Sequence, residues 1–386
     1  MKHLKTQFFA SLRLCVKIII VNLILILTIS FNSYAQNKTC WPSFRGNQSL
    51  TGFTNIQLPN SLKLLWSFKT GDVIKSSPVI CGKNIYIGSN DGYLYSISEK
   101  GKLNWKFNCE SSLEASPLFL NGIIYIGTLE GNLYAIDSKS GKLKWEYITE
   151  GQISGPSSWV YTTNKKEKLI ITGSYDFFLH CVNAKTGKLS WKYETDNFIN
   201  GAPATDGKIA AFGGCDGFIH LVNTNTGKAS DKIDVGTYIA SSPTIEKNKV
   251  YFGNYDGTFY CIDITSKKTL WKYEGAGPFL ASPAVSAHKV IIGSQDKNVY
   301  CFDKSSGELL WKFKTLRKVN GSAVITKNVA VIASGDGRVY MLNLNSGEKI
   351  WSYEIGSPIS TSPAVINNMI VVGAEDGRVY AFGLKK

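Results

Sequence analysis

The stretch AIDSKSGKLKW, Ala135–Trp145, ends on a tryptophan that returns along the chain. Trp66, Trp105, Trp145, Trp191, Trp271, Trp311 and Trp351 fall 39, 40, 46, 80, 40 and 40 residues apart. The gap of 80 hides a missing member, because Asp231 in GKASDKI stands where a tryptophan belongs. A second series keeps the same period: Asp91, Glu130, Asp176, Asp216, Asp256, Asp296, Asp336 and Asp376 are spaced 39, 46 and then 40 throughout. Eight units of about 40 residues with strand-like content predict an all-β, eight-bladed β-propeller with four strands per blade.

The second unit shows the local physics. SPLFL (116–120) is a short apolar strand, and Asn121-Gly122 is a strong hairpin signal. IIYIGT (123–128), LYAID (133–137) and LKWEY (143–147) supply three more strands, separated by EGN and SKSG turns. The final unit stops at GRVYAFGLKK without a tryptophan strand, while a surplus one, LKLLWSF (62–68), precedes the first unit. The N-terminal strand is therefore expected to complete blade eight and close the ring, which removes unpaired edges.

Lys2, Lys5, Arg13 and Lys17 precede an apolar run, Ile18 to Phe31, and then Ser33-Tyr34-Ala35. This reads as a secretory signal over 1–35, followed by a lead segment, 36–61, and the propeller, 62–386. NKTC, ending at Cys40, lacks the leucine of a lipidation box, and no spanning segment is expected after cleavage. Cleavage leaves 8 − 1 = 7 cysteines and a formal charge of 14 − 4 = +10. An odd count cannot pair completely within the chain; one disulfide among Cys40, Cys81, Cys109 and Cys215 is open, with no pairing assigned.

AIDSKSGKLKW, CVNAKTGKLSW (181–191), CFDKSSGELLW (301–311) and MLNLNSGEKIW (341–351) resemble the tryptophan-docking repeat of pyrroloquinoline-quinone (PQQ)-like β-propellers. WPSFRGNQSLTGFTNIQLPNSLKLLWSFKTG (41–71) is similar to the lead-in of that family. The resemblance implies one of two kinds of protein: quinoprotein dehydrogenases using PQQ with Ca²⁺, or non-enzymatic scaffolds of the BamB outer-membrane assembly branch. The motif also has a reason that needs no cofactor. Asp137 or Asn183 accepts bonds from the turn backbone, Gly141 or Gly187 permits a positive φ, and the tryptophan packs between blades.

Departures from the repeat are where chemistry should lie. His180 and His220 share a register with six tyrosines, and Cys181, Cys261 and Cys301 share one with small or apolar residues, so both read as packing positions. His288 falls in a turn. The adjacent-cysteine pair and Ca²⁺ ligand set of the dehydrogenase branch cannot be placed on matching motifs, and the Asp-Gly turns carry too few oxygens for Ca²⁺. No catalytic, metal or cofactor residue is assigned, and no cofactor is expected.

Ser-Pro opens most inner strands, and the residues three before that proline face one channel mouth. Lys75, Glu114, Ile153, Asn200 and Asn320 fall in that register, and Lys75, Glu114, Asn200 and Asn320 are the candidate ligand contacts. On the opposite face, three residues before each tryptophan position, stand Lys63, Lys102, Lys142, Lys188, Lys228, Lys268, Glu308 and Glu348. Blade three carries about six extra residues in VYTTNKKEKL (160–169), beside the lost tryptophan of blade four. Lys165, Lys166, Lys168 and Asp231 are thus candidates for a partner surface. The expected role is an exported, monomeric, non-catalytic scaffold for an envelope or outer-membrane protein, in the periplasm or at the outer-membrane periphery. The alternative is a PQQ or other small-ligand binder, with oxidoreductase activity as its strongest form. Nucleic acid is not expected, for want of a stacking motif.

Overall fold

The computed structural model describes residues 40–164 and 166–384. The predicted signal segment and Lys165 lie outside the described residues. Eight antiparallel four-stranded sheets form the ring. Blade one spans 79–108, and each of the next six follows in chain order. Blade eight takes three strands between Ala364 and Gly383 and its fourth from Lys63–Lys69, the N-terminal tryptophan strand.

In blade two the strands are Leu118–Leu120, Ile123–Gly127, Asn132–Asp137 and Leu143–Ile148. Asn121 and Gly122 both adopt positive φ, 53° and 82°, as a tight hairpin with the strand's right-handed twist requires. The middle two strands are almost wholly buried, whereas the fourth alternates exposed and half-buried residues. That alternation follows from the fourth strand's place at the rim, with one face on the neighbouring blade.

All eight pairings of third with fourth strand carry a register shift just before the tryptophan position, as between Ala135↔Trp145 and Ile136↔Leu143. A bulge there bends the strand and aims the ring at the next blade. Trp145 Nε1 donates to Ala184 O at 3.1 Å, across the blade boundary. The other six tryptophans do the same, from Trp66 to Glu99 O at 2.8 Å round to Trp351 to Leu62 O at 3.0 Å. Each ring from Trp66 to Trp311 also lies against a glycine of the receiving turn, at positive φ; a Cβ on Gly141 would sit 2.7 Å from the Trp105 ring.

The lead segment is part of the propeller core. From Trp41 to Ile56 it crosses the end of the channel opposite the candidate ligand mouth, bonding to one inner strand after another. Trp41 pairs with Ile80, Phe119 N–H donates to Pro42 O, and Gln48 Nε2 donates to Trp159 O. Thr205, Ile245, Val285 and Ile325 N–H groups donate to Gln48, Ser49, Thr51 and Gly52 carbonyls at 2.8, 3.0, 2.8 and 2.9 Å. Inner-strand edges that would otherwise lack partners are thereby satisfied. Cys40 and Cys81 form a disulfide that fastens the start of this segment to blade one.

Candidate functional site

Two faces of the ring differ in what they present. Connections from second to third and from fourth to first strands form one, here the mouth face. First-to-second and third-to-fourth turns form the other, the turn face.

At the mouth, a belt of serines circles the channel. Ser242 Oγ accepts from Ala202 N–H at 2.8 Å, and the same bond joins Ser242 to Ser282, Ser282 to Ser322, Ser322 to Ser362, Ser362 to Ser77 and Ser77 to Ser116. These are the serines of Ser-Pro and, in blade seven, of Ser-Ala. The belt breaks around blade three, where Pro156 takes the serine position and offers neither N–H nor hydroxyl. This one-residue offset corrects the sequence register. Ile153 is a fully buried packing residue, equivalent to Leu113 and Ile199, each of which fills the space over a glycine of the preceding blade. Ser154 follows it in the mouth position.

The four candidate contacts do not converge. Lys75 Nζ and Glu114 Oε1 pair with each other at 2.6 Å. Asn200 Nδ2 lies 3.0 Å from Cys215 Sγ, and Asn320 Oδ1 accepts from Gln295 Nε2 at 3.3 Å. Among the described residues, no group of three His, Cys, Asp or Glu side chains could hold a metal ion. That donor set does not fit a PQQ–Ca²⁺ centre, and no step through one is derived.

The histidines are built into blade joints. His180 Nε2 bonds Asp176 Oδ2 at 2.9 Å, and its Nδ1 meets the Tyr147 hydroxyl at 2.9 Å. His220 repeats this with Asp216 at 2.7 Å and Tyr193 at 3.1 Å. An ionised carboxylate only accepts, so each Nε2 donates to its aspartate, while Nδ1 ties the ring to the tyrosine of the preceding blade. Burial pushes both aspartates up, but the bonds and charge of the histidines, with backbone N–H bonds, hold them below the ordinary value. At four other blades a tyrosine in this register, Tyr95, Tyr300, Tyr340 or Tyr380, donates directly to its aspartate, as Tyr95 to Asp91 at 2.6 Å. The packing reading of this register stands, with a polar link between blades added to it.

Asp231 is likewise part of a joint. Its carboxylate pairs with Lys267, which lowers its pKa. Lys267, at φ 60°, occupies the turn position that is glycine for each of the six tryptophans from Trp66 to Trp311. One substitution thus answers the other. Asp231→Trp alone is expected to give little stabilisation, because the ring would meet the Lys267 side chain. With Lys267→Gly added, the melting temperature should rise by a few degrees. A double variant no more stable than the single would disprove the exchange.

Sequence reasoning missed an arc of aromatics on the mouth face of blades three to five. Phe177, Phe198, Tyr238 and Tyr255 are 41%, 39%, 55% and 52% exposed. Tyr175 stacks on Phe198 at 4.7 Å, and Tyr238 meets Tyr255 edge-on at 6.5 Å. Their counterparts elsewhere are mixed: Val73, Ser112, Gln152, Pro278 and Lys318 in one register. The signal was a departure from the repeat in a residue type that does no chemistry itself. On the turn face, the extra residues of blade three connect the strands Ser158–Tyr161 and Lys168–Gly173 as a hairpin. The six lysines from Lys63 to Lys268 are all exposed.

Comparisons with known proteins agree with this architecture. The family model described as beta-alanine-activating enzyme, beta-propeller, matches residues 154–386. The model described as outer membrane protein assembly factor BamB matches residues 59–196. No curated protein sequence matches. Among solved structures, BamB from Moraxella catarrhalis superposes with a TM-score of 0.72 at 23% identity, covering 84% of this chain and 98% of that one. Quinohemoprotein alcohol dehydrogenase from Comamonas testosteroni gives 0.76 at 13% identity, covering 90% and 81%. The computationally designed Ika8 protein gives 0.73 at 19%, covering 83% and 100%. An assembly factor, a dehydrogenase and a design share the fold, so the fold by itself assigns no chemistry. With one family model spanning more than half of the chain and the two together running from residue 59 to 386, the chain belongs to the PQQ-like β-propeller family.

Proposed function

We propose that this chain is a non-catalytic scaffold of the bacterial cell envelope that binds a protein partner through its mouth face, in the manner of a BamB-like assembly factor. The observation that carries this reading is the aromatic arc. Phe177, Phe198, Tyr238 and Tyr255 are large, rigid and exposed, in two ring pairs, on three adjacent blades. Aromatics of this kind are enriched at protein interfaces and dominate their energetics. The polar pair Lys75–Glu114, on the same face at blades one and two, is tied up in a mutual contact. The Cys40–Cys81 bond favours an oxidising compartment, consistent with export to the periplasm.

Phe177→Ser/Tyr238→Ser/Tyr255→Ser should abolish photo-crosslinks formed in intact envelopes by a probe at Phe198, with the melting temperature unchanged. Undiminished crosslinking would remove the arc from the interface. Titration with PQQ and Ca²⁺ alongside a dye-linked alcohol oxidation assay should show neither binding nor turnover; turnover would overturn the scaffold reading.

A further inference from the structure

We propose that the turn face, centred on a hollow beside the blade-three hairpin, docks on an anionic lipid surface and holds headgroup phosphates in that hollow. The hollow lies between blades two and three and measures about 830 Å³, within the range of small-ligand sites. Its walls include Lys144, Lys166, Lys168 and Lys185, with Tyr161 and Trp145 between them. Lys168 Nζ is fixed by Asn121 Oδ1 at 3.0 Å and stands 4.7 Å over the Trp159 ring and 5.2 Å over Tyr161. Lys144 pairs with Asp137 at 3.4 Å, whereas Lys166 and Lys185 have no ion pair among the described residues. The one acid lining the hollow, Glu167, accepts from Asn183 Nδ2 at 3.3 Å. Four ammonium groups against the two carboxylates of Glu167 and Asp137 favour an anion, and lysine serves phosphate as a point charge.

Two further observations select a surface rather than a free anion or a protein. Lys63, Lys102, Lys142, Lys188, Lys228 and Lys268 are exposed around this same face. A small anion reaches only the lysines of one hollow, while lysines on successive blades can be engaged together by an extended anionic plane. The face also uses lysine with no arginine: the arginines among the described residues are Arg45, in the channel, and Arg317, Arg338 and Arg378, at mouth-face turns. Protein interfaces favour arginine and are depleted in lysine. The molecule is also polarised. A hollow of about 680 Å³ on the mouth face is lined by Asp91, Glu110 and Glu130 and by no lysine or arginine. An anionic membrane would therefore attract the turn face, leaving the aromatic arc pointing away from it.

The test uses the chain from Lys38 onward, a compact unit that contains every blade. It is sedimented with phosphatidylcholine vesicles and with vesicles containing one-third phosphatidylglycerol, at about 50 mM and about 300 mM salt. Binding is expected only to the anionic vesicles and only at the lower salt. Lys166→Ala/Lys168→Ala/Lys185→Ala should weaken it on the order of 100-fold, as three lysines near a charged surface would. Lys297→Ala/Arg317→Ala/Lys318→Ala removes equal charge from the mouth face and should leave it unchanged, with both melting temperatures near the parent's. Absence of binding to anionic vesicles would overturn the proposal, as would equal weakening by both triples. So would phosphate or polyglutamate binding with the same three-lysine dependence while vesicles fail to bind. Each of these failures leaves the mouth-face reading standing, because no residue is shared.

Discussion

Arg45→Ala is expected to destabilise the propeller by about 3 kcal/mol, from two orphaned carbonyls and a partly unfilled cavity. Arg45 is 1% exposed, at φ 62°, in the lead segment across the channel. Its guanidinium donates to Pro283 O at 2.9 Å and to Ala323 O, tying blades six and seven to a segment fastened to blade one by Cys40–Cys81. Among the described residues it has no carboxylate partner, and burial lowers its pKa to about 9, so it remains charged at neutral pH. Two effects oppose. Truncation removes charge-assisted bonds, and it also relieves a cation of its desolvation. Because the partners are neutral carbonyls, no opposite charge is stranded, so the loss is smaller than for a broken buried ion pair. Arg45→Met keeps most of the volume and should recover about half of the loss by refilling the space. Gly52 fits the same account, since a Cβ there would lie 1.9 Å from Arg45 Nη2. Denaturant unfolding of both variants measures the balance. An unchanged alanine variant would place the hold of the lead segment in its backbone bonds alone.

The contrast between Arg45 and the tryptophans shows what a single sequence exposes. The tryptophans repeat at a near-constant period, so the eight blades were readable from spacing, as was the closure of blade eight by Lys63–Lys69, and the resemblance to the tryptophan-docking repeat implied their role. Arg45 occurs once, and its partners lie 238 and 278 residues away. Nothing local foretells such a contact. The same holds for the run of backbone bonds from Pro42 to Ile56, and for the pairing of Cys40 with Cys81. The candidate site was legible only as a face. Lys75 and Glu114 were placed at the mouth, but their mutual pairing depends on side-chain reach across a blade boundary. One signal was present and unread. The receiving turn that has lost its glycine, at Lys267, follows the unit that has lost its tryptophan, at Asp231. The two positions answer each other because ring and glycine occupy one space.

That shared space gives the second large effect. Gly141→Val should destabilise the fold by at least about 4 kcal/mol, combining left-handed strain at a β-branched residue with displacement of a docking tryptophan. Gly141 sits at φ 69°, and its added Cβ would meet Trp105 Cδ2 at 2.7 Å. Trp105→Ala should cost about 3 kcal/mol, less than a fully buried ring, because the residue is only half-buried. If the two act through one contact, the double variant will cost less than their sum, by about 2 kcal/mol, since the collision has already been removed. Strict additivity would mean that strain alone carries the glycine's effect. Lys267→Val in blade five is the internal control: a positive φ is already held there by a side chain and no tryptophan arrives, so its cost should be much smaller. A valine at 267 as damaging as one at 141 would show that turn geometry, and not the incoming ring, dictates glycine in AIDSKSGKLKW.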